Sequence, residues 1–449
     1  MFKKVLIANR GEIAIRIIRT CKEMQIRTVA VYSEADKNSL HVRLADEAHC
    51  IGASKVAESY LNQAAVLTAA LKTKADAIHP GYGFLAENAD FAAKCREVGI
   101  TFIGPPPEAI RKMGDKASAR KQMSEAGVPV IQGSEGTVDE GNVHEHASKI
   151  GYPLMIKAAS GGGGKGMRIV EQADHLERMF ALAKQEAEAN FGDGRMYLET
   201  YIETPRHIEV QIIADQYGQV VHLGERDCTV QRRHQKLIEE APSPHVNEQL
   251  RQSLGEAAVK AAQSVSYVGA GTIEFLVDRE CQFYFMEMNT RIQVEHPVSE
   301  QVTGIDLIKE QMLVAAGEPL RYCQEDILLN GHSIECRINA EDPSNEFAPN
   351  PGMLTHYAAP GGRNVRIDSA VYAGATIPPY YDSMVAKLIV YGATRAEAIE
   401  SMKRALDEFE IEGVQTTIPV LRKVMQHKNF RDGDFDTNFF EKHLKPIPS

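Results

Sequence analysis

Two neighbouring segments of this sequence carry acidic residues whose spacing could do chemistry. Residues 272–277 and 283–289 both have the composition of strands, and the short segment between them predicts a hairpin. Pairing them sets Glu274 opposite Glu287, and directly opposed carboxylates destabilise a sheet unless a cation lies between them. Two carboxylates with the amide oxygen of Asn289 form part of the oxygen shell that Mg²⁺ takes beside a nucleotide. The pattern predicts a site for Mg²⁺ (or Mn²⁺) on these three side chains.

The same pairing leaves the other face of the hairpin apolar, so that face can pack against a core. The predicted register sets its apolar side chains opposite one another as Ile273 with Met288, Phe275 with Met286, and Val277 with Tyr284. A register shifted by one residue is the alternative. It would turn both glutamates to solvent, but it would also expose the apolar face.

The polar alternation continues beyond the second strand. If the chain stays extended, Asn289, Arg291, Gln293 and Glu295 project from the same side. A cation, an amide and a carboxylate then follow outward from the predicted metal site. This row suits a small anionic substrate held by Arg291, with Glu295 as the general base.

A glycine-rich segment lies between two further predicted strands, residues 154–158 and 167–170. Its glycines are Gly161, Gly162, Gly163, Gly164 and Gly166. The spacing satisfies the dinucleotide fingerprint G-x-G-x-x-G, but that motif opens a helix, whereas a strand follows here. The P-loop pattern also fails, because its glycine, lysine and hydroxyl residues are not in the required order. The segment is therefore either a surface hairpin or a phosphate-binding loop whose backbone N–H groups close over the anion beside Lys157.

Residues 231–236 (Gln-Arg-Arg-His-Gln-Lys) form a dense cluster of positive charge. A nucleic-acid patch is disfavoured, because the chain is acidic and the cluster has no interleaved aromatic residues. A solvated surface turn and an anion-binding wall of an active site remain open. Arg337 is a charged residue in the otherwise apolar predicted strand 333–338, where a structural salt bridge is the commonest role.

Length and charge limit the classes of protein. With 449 residues the chain is too long for one core, and its net charge of −11 argues against a protein that coats nucleic acid. Seven cysteines without a CxxC pair indicate neither a disulfide framework nor a zinc site. The N-terminus lacks the apolar stretch of a signal peptide and no segment has membrane-spanning length, so we expect a cytoplasmic protein without a membrane partner.

Strands alternate with helices in the first hundred residues, and the segment after Asn330 begins with a strand and contains several glycine and proline turns before a helix at 395–410. This pattern predicts a mixed α/β and α+β protein with an N-terminal doubly wound α/β domain, a two-lobed central domain and a β-rich C-terminal domain. The first helix is expected to run to about Met24. Its polar side carries Arg16, Arg19 and Glu23.

Taken together, the motifs resemble those of the biotin carboxylase family of ATP-grasp proteins. The resemblance covers essentially the whole chain, in residues 7–12 (IANRGE), 79–83 (HPGYG), 225–228 (ERDC), 231–236 (QRRHQK), 287–291 (EMNTR), 293–297 (QVEHP) and 378–383 (PPYYDS). It implies an N-terminal domain in residues 1–114, an ATP-grasp domain in 115–330 with a mobile lid at about 131–203, and a C-terminal biotin carboxylase domain in 331–449.

The resemblance also implies roles for particular residues on the nucleotide side. Lys116 and Lys157 would hold the ATP phosphates, and the glycine loop would close over them. The adenosine site would be lined by Glu199, Ile202, His207, Gln231 and His234. Thr200 stands where many relatives have Lys, and we expect it to be tolerated because the hinge contacts adenine largely through its backbone.

On the substrate side, the resemblance implies that the metal ligands are those predicted from the hairpin, Glu274, Glu287 and Asn289. Bicarbonate would be surrounded by Lys236, Arg291, Gln293 and Val294, with Glu295 as the base that deprotonates it. Arg337 would stabilise the enolate oxygen of biotin.

The implied activity is the ATP- and bicarbonate-dependent carboxylation of biotin through carboxyphosphate, the first half-reaction of acetyl-CoA carboxylase. The chain contains no Ala-Met-Lys-Met biotinylation motif, so we expect biotin to be held by a biotin carboxyl carrier protein, with carboxyltransferase subunits as further partners. In similar proteins the first helix meets its copy, which implies a homodimer. A pyruvate, propionyl-CoA or other carboxylase, an ATP-grasp carboxylate–amine ligase and a catalytically silent subunit remain alternatives.

Overall fold

The N-terminal part of the chain is built on one parallel sheet. The computed structural model describes residues 1–134, 136–159 and 166–444. The elements of this part are β1 (Lys4–Ile7), α1 (Gly11–Glu23), β2 (Arg27–Ser33), α2 (Leu40–Leu44), β3 (Glu47–Gly52), α3 (Gln63–Thr73), β4 (Ala77–His79), α4 (Ala89–Glu97), β5 (Thr101–Phe102) and α5 (Pro107–Gly114). The strands pair in the order β3-β2-β1-β4-β5.

Alternate residues of β1 show why helices cover both faces of this sheet. Val5 and Ile7 share a buried cluster with the apolar side of α1, whereas Leu6 and Ala8 share another with α3 and α4. A strand buried on both faces reads as a continuous apolar run, which is what the sequence has there. The predicted doubly wound α/β layer is confirmed.

The middle of the chain contributes two further sheets. Its elements are α6 (Lys116–Glu125), α7 (Val143–Ile150), β6 (Leu154–Ala158), β7 (Met167–Val170), α8 (Leu176–Phe191), β8 (Met196–Thr200), β9 (Arg206–Ala214), β10 (Val220–Arg232), β11 (Gln235–Ala241), α9 (Glu248–Ser264), β12 (Gly269–Val277), β13 (Phe283–Asn289), α10 (His296–Thr303) and α11 (Leu307–Ala315). Strands β7, β6 and β8 form a small antiparallel sheet covered by α7 and α8, and its core includes Leu154, Ile156 and Phe180. This small sheet is one of the two lobes that were predicted.

The C-terminal elements are β14 (His332–Asn339), β15 (Glu341–Asp342), β16 (Ala348–Pro349), β17 (Gly352–Met353), β18 (His356–Ala358), β19 (Val365–Ser369), β20 (Thr376–Ile377), β21 (Met384–Gly392), α12 (Arg395–Glu408), β22 (Glu410–Glu412), α13 (Ile418–Gln426), α14 (Lys428–Asp432) and α15 (Phe439–His443). Three of these strands do not form a sheet of their own. They extend the large antiparallel sheet of the middle part, in the order β13-β12-β9-β10-β11-β14-β21-β19. The β-rich C-terminal part therefore shares its main sheet with the central part.

The large sheet separates an apolar face from a polar one. Ile208 and Val210 of β9 and Phe275 of β12 belong to the same buried cluster as the apolar side of α9. Because side chains alternate along a strand, His207 and Glu209 project from the opposite face. The packing of α9 thus decides that the polar face of the sheet looks toward the site described below.

The predicted carboxylate hairpin is present, but half of its register is wrong. Glu274 lies opposite Glu287, as expected, and the two pairs at their end of the hairpin also match. Beyond Glu274 the register shifts by one residue, so Phe275 pairs with Phe285 and not with Met286. Met286 is the extra residue of this bulge and lines the central cavity. Because of this bulge, Glu274 and Glu287 project from the same face of the hairpin and Phe285 still packs into the core on the other face.

Among the described residues, no helix combines the length and the apolar composition needed to cross a membrane.

A buried carboxylate ties α12 to the large sheet. Glu240 of β11 accepts hydrogen bonds from His332 at 2.7 Å and from Arg395 at 2.6 and 3.0 Å. Burial would raise the pKa of Glu240, but its hydrogen bond from His332 and the charge of Arg395 lower that pKa from 4.5 to about 2. The carboxylate therefore stabilises the fold above pH 4.5, and this stabilisation is lost as the pH falls toward 2.

Glu240→Gln is accordingly expected to lower the free energy of unfolding at neutral pH by about 3 kcal/mol. The loss should shrink between about pH 4.5 and pH 2, because the wild type loses the same contribution there. Urea unfolding at several pH values measures both effects. Glu412→Gln, at an exposed position, is the matched control. An equal loss of stability at all pH values would contradict the assignment.

Candidate active site

A cavity of about 1230 Å³ lies between the small sheet, the large sheet and the C-terminal elements. Most of the predicted site residues line it: Lys116, Lys157, Glu199, Ile202, His207, Gln231, His234, Lys236, Glu274, Glu287, Asn289, Arg291, Gln293, Val294, Glu295 and Arg337. These residues come from the small and the large sheet, from α6 and from loops, and they span more than 200 positions of the chain. The fold therefore brings together side chains that the sequence presents as separate motifs.

Three carboxylates stand in one row across the polar face of the large sheet. Glu209 of β9 pairs with Glu274 of β12, which pairs with Glu287 of β13. Glu209 and Glu274 are buried, whereas Glu287 is partly exposed to the cavity. Such a row of like charges requires cations, and the chain supplies one of them itself.

Lys236 of β11 is that cation. Its Nζ donates to Glu209 at 2.6 Å, to Glu274 at 3.0 Å and to Glu295 at 2.7 Å. Burial alone would lower the pKa of Lys236, but Cys228 and these three carboxylates raise it well above its ordinary value. The lysine is therefore charged, with its ammonium at the junction of the metal pair and the predicted base.

Glu295 is held between two cations at the inner end of the cavity. Its second oxygen accepts from Arg337 at 3.0 Å. Burial alone would raise the pKa of Glu295, but Lys236, Arg337 and Arg226 hold it well below its ordinary range. The carboxylate is ionised, which is the form that can accept a proton.

The extended row predicted beyond Asn289 is wrong in its backbone. Strand β13 ends at Asn289, and a bend and a turn lead into α10 at His296. Arg291, Gln293 and Glu295 nevertheless line the same cavity, because the intervening Ile292 is fully buried on the other side. Within the part of the chain that the structure describes, residues 290–295 pair with no neighbouring strand. Hydrogen bonds of their side chains hold them in place instead.

Arg291 shows these contacts. Its Nε donates to Glu87 at 2.9 Å, and one terminal nitrogen donates to the amide oxygen of Asn289 at 2.8 Å. Glu87 also accepts from the backbone N–H of Thr290 at 3.0 Å. A residue of the N-terminal part thus fixes the arginine beside a predicted metal ligand.

On the nucleotide side, the two predicted phosphate-binding lysines have acidic partners. Lys157 of β6 lies 2.5 Å from Glu199 of β8, and Lys116 lies 3.6 Å from Glu287. Burial would lower the pKa of Lys157, but Glu199 raises it above its ordinary value. Thr200 also lines the cavity, and its backbone N–H donates to the Gln132 carbonyl at 2.8 Å.

Most of the glycine loop lies outside the described residues, namely Gly161, Gly162, Gly163 and Gly164. Gly166 is described, and it does not line the cavity. Its φ of +68° favours glycine, and an added Cβ would lie 3.0 Å from the Cβ of Ala158. Close packing against β6 accounts for this glycine.

The basic cluster of residues 231–236 divides between two environments. It lies at the β10–β11 hairpin, whose turn residues Arg233 and His234 both have positive φ. The cavity is lined by Gln231, Arg233, His234, Gln235 and Lys236, whereas the Arg232 guanidinium stacks over Phe347, 4.3 Å from its ring centroid. Every residue of the cluster but Arg232 thus lies at the wall of the cavity, and anion binding by this wall stays a prediction.

Sequence reasoning missed several buried residues behind the cavity wall. Arg226, fully buried, donates to Glu209, to Gln211 at 2.6 Å and to the amide oxygen of Gln293 at 2.7 Å. It thereby fixes which end of the Gln293 amide faces Glu274. The alternation His207, Glu209, Gln211 between apolar residues is the signal that could have identified this polar face.

The comparisons with known proteins agree with this geometry. Family models match for the N-terminal domain of biotin carboxylase over residues 1–110, the ATP binding domain of the carbamoyl-phosphate synthase L chain over 115–323, and the C-terminal domain of biotin carboxylase over 335–442. Biotin carboxylase 1 of Bacillus subtilis is 57% identical over 447 residues, covering 99% of both chains. The chain belongs to the biotin carboxylase family.

Two solved structures of this family superpose closely. The biotin carboxylase of Campylobacter jejuni, in a β,γ-ATP complex, has a TM-score of 0.96 and 52% identity, covering 99% of both chains. The biotin carboxylase domain dimer of the 2-oxoglutarate carboxylase of Hydrogenobacter thermophilus, with MgADP, ADP and bicarbonate, also has a TM-score of 0.96 and 52% identity. It covers 99% of this chain and 98% of that one. The resemblance to biotin carboxylases and the mixed α/β fold class are confirmed.

The donor set at the hairpin fits a magnesium ion, which the Hydrogenobacter thermophilus domain binds as MgADP. Glu274 and Glu287 are directly opposed, and among the described residues Glu287 forms an ion pair with Lys116 at 3.6 Å. Asn289 adds an amide within 2.9 Å of Glu274. An opposed carboxylate pair open to the cavity is incompletely neutralised, and a hard divalent cation would neutralise it.

Glu287→Gln is expected to raise the Mg²⁺ concentration required for half-maximal ATP cleavage by at least about tenfold. Even the substitution of a residue that only supports a metal ligand typically lowers metal affinity by about this factor. Titrating MgCl₂ at a fixed concentration of free ATP measures the shift. Glu280→Gln, in the exposed turn of the same hairpin, is the matched control. An unchanged Mg²⁺ requirement in the Glu287 variant would remove this residue from the metal site.

Proposed function

We propose that this chain uses ATP and bicarbonate to carboxylate biotin held on a separate carrier protein, and that it serves an acetyl-CoA carboxylase. The observation that carries the proposal is the convergence of Lys236 and Arg337 on the ionised Glu295, next to the opposed carboxylates Glu274 and Glu287. One end of this group handles phosphate and metal, and the other presents a base and a fixed cation.

The first step is the phosphorylation of bicarbonate, which is itself a poor electrophile. Lys116 and Lys157 would bind the phosphates of ATP, while Glu274, Glu287 and Asn289 would hold Mg²⁺. The metal supplies charge neutralisation for the in-line transfer when it is bound. Positioning and electrostatics account for most of the catalysis of such a transfer.

Bicarbonate would lie against Arg291, Gln293 and the backbone of Val294, with Lys236 as a further cation. Glu295 would take its proton as the oxygen attacks the γ-phosphorus. The low pKa of Glu295 rests on Lys236 and Arg337 after the cost of burial. A bound anion that draws Lys236 and Arg337 toward itself would raise the pKa of Glu295, which would make this carboxylate a stronger base during the reaction.

The second step is the transfer of the carboxyl group to biotin. Carboxyphosphate breaks down to CO₂ and phosphate, and the phosphate removes the ureido proton of biotin. Arg337 would stabilise the resulting enolate oxygen, because a fixed guanidinium in a buried site stabilises developing negative charge strongly. The remaining partners proposed are a biotin carboxyl carrier protein and carboxyltransferase subunits.

The proposal extends to a cytoplasmic homodimer that meets through α1. Arg19 and Glu23 of this helix are exposed and free to contact a copy of the chain. Arg16 was predicted to lie on the same polar side, but it is half-buried and binds Glu300 at 2.9 Å and Asp306 at 2.7 Å within the chain.

The test is ADP release by the purified chain with Mg-ATP, with and without bicarbonate and free biotin. Bicarbonate-dependent release that biotin stimulates is the expected result. Release indifferent to both would overturn the proposal and favour a carboxylate–amine ligase. Supplying the carrier and transferase of acetyl-CoA, propionyl-CoA or pyruvate carboxylases in turn then tests which final acceptor the chain serves.

A further inference from the structure

Two buried carboxyl groups behind Arg337 are incompletely hydrogen-bonded. Glu239 of β11 and Glu335 of β14 are both fully buried and lie directly opposite each other on neighbouring antiparallel strands. Among the residues that the structure describes, neither oxygen of Glu335 has a hydrogen-bond partner, and the same holds for Oε2 of Glu239. Unpaired buried carboxylate oxygens are costly, so this pair of residues requires an explanation.

The other oxygen of Glu239 contacts two nitrogens of Arg337. Glu239 Oε1 accepts from Arg337 Nε at 2.6 Å and lies 2.5 Å from a terminal nitrogen of the same guanidinium. That terminal nitrogen also donates to Glu295 at 3.0 Å. Glu239 is thus the residue that orients the proposed enolate-stabilising arginine, and Glu335 stands behind it.

Lys387 does not resolve the unpaired oxygens. It lies opposite Arg337 on β21, but it donates to the Val294 carbonyl at 2.8 Å and pairs with Glu12 at 3.3 Å and Asp368 at 3.7 Å. Residues directly opposed in a sheet have Cβ atoms about 4.5–5.5 Å apart, within reach of a carboxyl–carboxyl hydrogen bond. A proton on one of the two groups would supply the missing donor.

We propose that Glu335 carries a proton and donates it in a hydrogen bond to Glu239 Oε2, so that Glu239 stays anionic and positions Arg337. This accounts for the unpaired oxygen of Glu239 and for one oxygen of Glu335. Both residues are positioning residues that act through Arg337. The inference rests on the proposed function for its effect on biotin.

The charges around the pair are consistent with one shared proton. The titratable groups that interact electrostatically with it are Lys236, Cys228, Glu295, Arg337, Cys336 and Lys387. Burial and the charge of Glu295 raise the pKa of Glu239 to about 7, although the charge of Arg337 opposes this shift. Burial and the charge of Glu239 raise the pKa of Glu335 well above its ordinary value, although the charge of Lys387 opposes this shift.

The test compares Glu335→Gln, which keeps a donor at every pH, with Glu335→Leu, which has none. We expect Glu335→Leu to lower biotin-stimulated ADP release by about ten- to a hundredfold and bicarbonate-dependent release without biotin by much less, since a lost hydrogen bond to a charged group has about this effect. Glu335→Gln should stay within about threefold of the wild type at neutral pH. In the wild type, activity should decline at alkaline pH as Glu335 loses its proton, and Glu335→Gln should lack this part of the decline. Glu239→Gln should be impaired at every pH.

An inactive Glu335→Gln with an active Glu239→Gln would overturn the assignment of the proton. So would an alkaline decline in Glu335→Gln identical to that of the wild type. Infrared difference spectra give a readout independent of catalysis: the wild type minus Glu335→Gln should contain the carbonyl band of a protonated carboxyl group at neutral pH. Absence of this band overturns the inference even if the proposed function holds, and its presence supports the inference even if biotin proves not to be the substrate.

Discussion

Glu295→Gln is expected to lower bicarbonate-dependent ATP cleavage by about a hundred- to ten-thousandfold, the usual range for loss of a general base. The amide cannot take a proton from bicarbonate, whereas its size and one acceptor oxygen are retained. Lys236 keeps its contacts with Glu209 and Glu274 at 2.6 and 3.0 Å, so the site should hold its shape. ATP binding, measured by calorimetry, should change little, because the acidic partners of Lys116 and Lys157 are Glu287 and Glu199 and not Glu295.

The matched control is Glu318→Gln, an exposed glutamate that follows α11. It should leave both ATP binding and ATP cleavage at the wild-type level. Normal turnover of the Glu295 variant would remove this residue from the role of base. If the variant lost both ATP binding and turnover, Glu295 would instead act by holding Lys236 and Arg337 in place.

Arg337→Ala is expected to lower the carboxylation of free biotin by about a hundred- to a thousandfold, comparable with the removal of one donor from an oxyanion hole. Cleavage of ATP in the presence of bicarbonate should fall far less, because the phosphate- and metal-binding residues remain. The two rates are measured separately, as ¹⁴C-carboxybiotin formed and as ADP released. An equal loss of both would mean that Arg337 is structural or positions bicarbonate.

Folding must be followed in the same variant. Arg337 neutralises Glu239 and Glu295, and removing one partner of a buried ion pair typically costs about 3–5 kcal/mol. Arg337→Lys is the companion variant, since it keeps the charge but loses the planar fork that reaches both carboxylates. We expect it to recover most of the stability and only part of the biotin carboxylation.

Local alternation explains why the carboxylate hairpin was predictable. The apolar residues Ile273 and Phe275 must face a core, and the period of two then places Glu274 on the other face, opposite Glu287. The bulge at Met286 was not predictable in this way, because nothing in the hairpin itself requires the register to shift. The need of Phe285 to reach the core under the sheet decided it.

The segment after Asn289 illustrates the opposite case. Its side chains line one cavity, as expected, but the chain is not extended there, because β13 ends at Asn289. Arg291 is held by Glu87, about 200 positions earlier in the chain, and no local pattern indicates that contact. Likewise, the separation of Arg232 from Lys236 depends on Phe347 of the C-terminal part.

The sequence by itself determined the doubly wound N-terminal layer, the carboxylate pair and the family, because each depends on the types and periodicity of neighbouring residues. Only the tertiary structure decided that Lys236, Glu295 and Arg337 meet. They come from β11, from a turn before α10 and from β14, and their convergence follows from the order of strands in the large sheet. Strand order is a property of the packed whole, and so are the charges of Glu239 and Glu335, which depend on burial by elements far away in the chain.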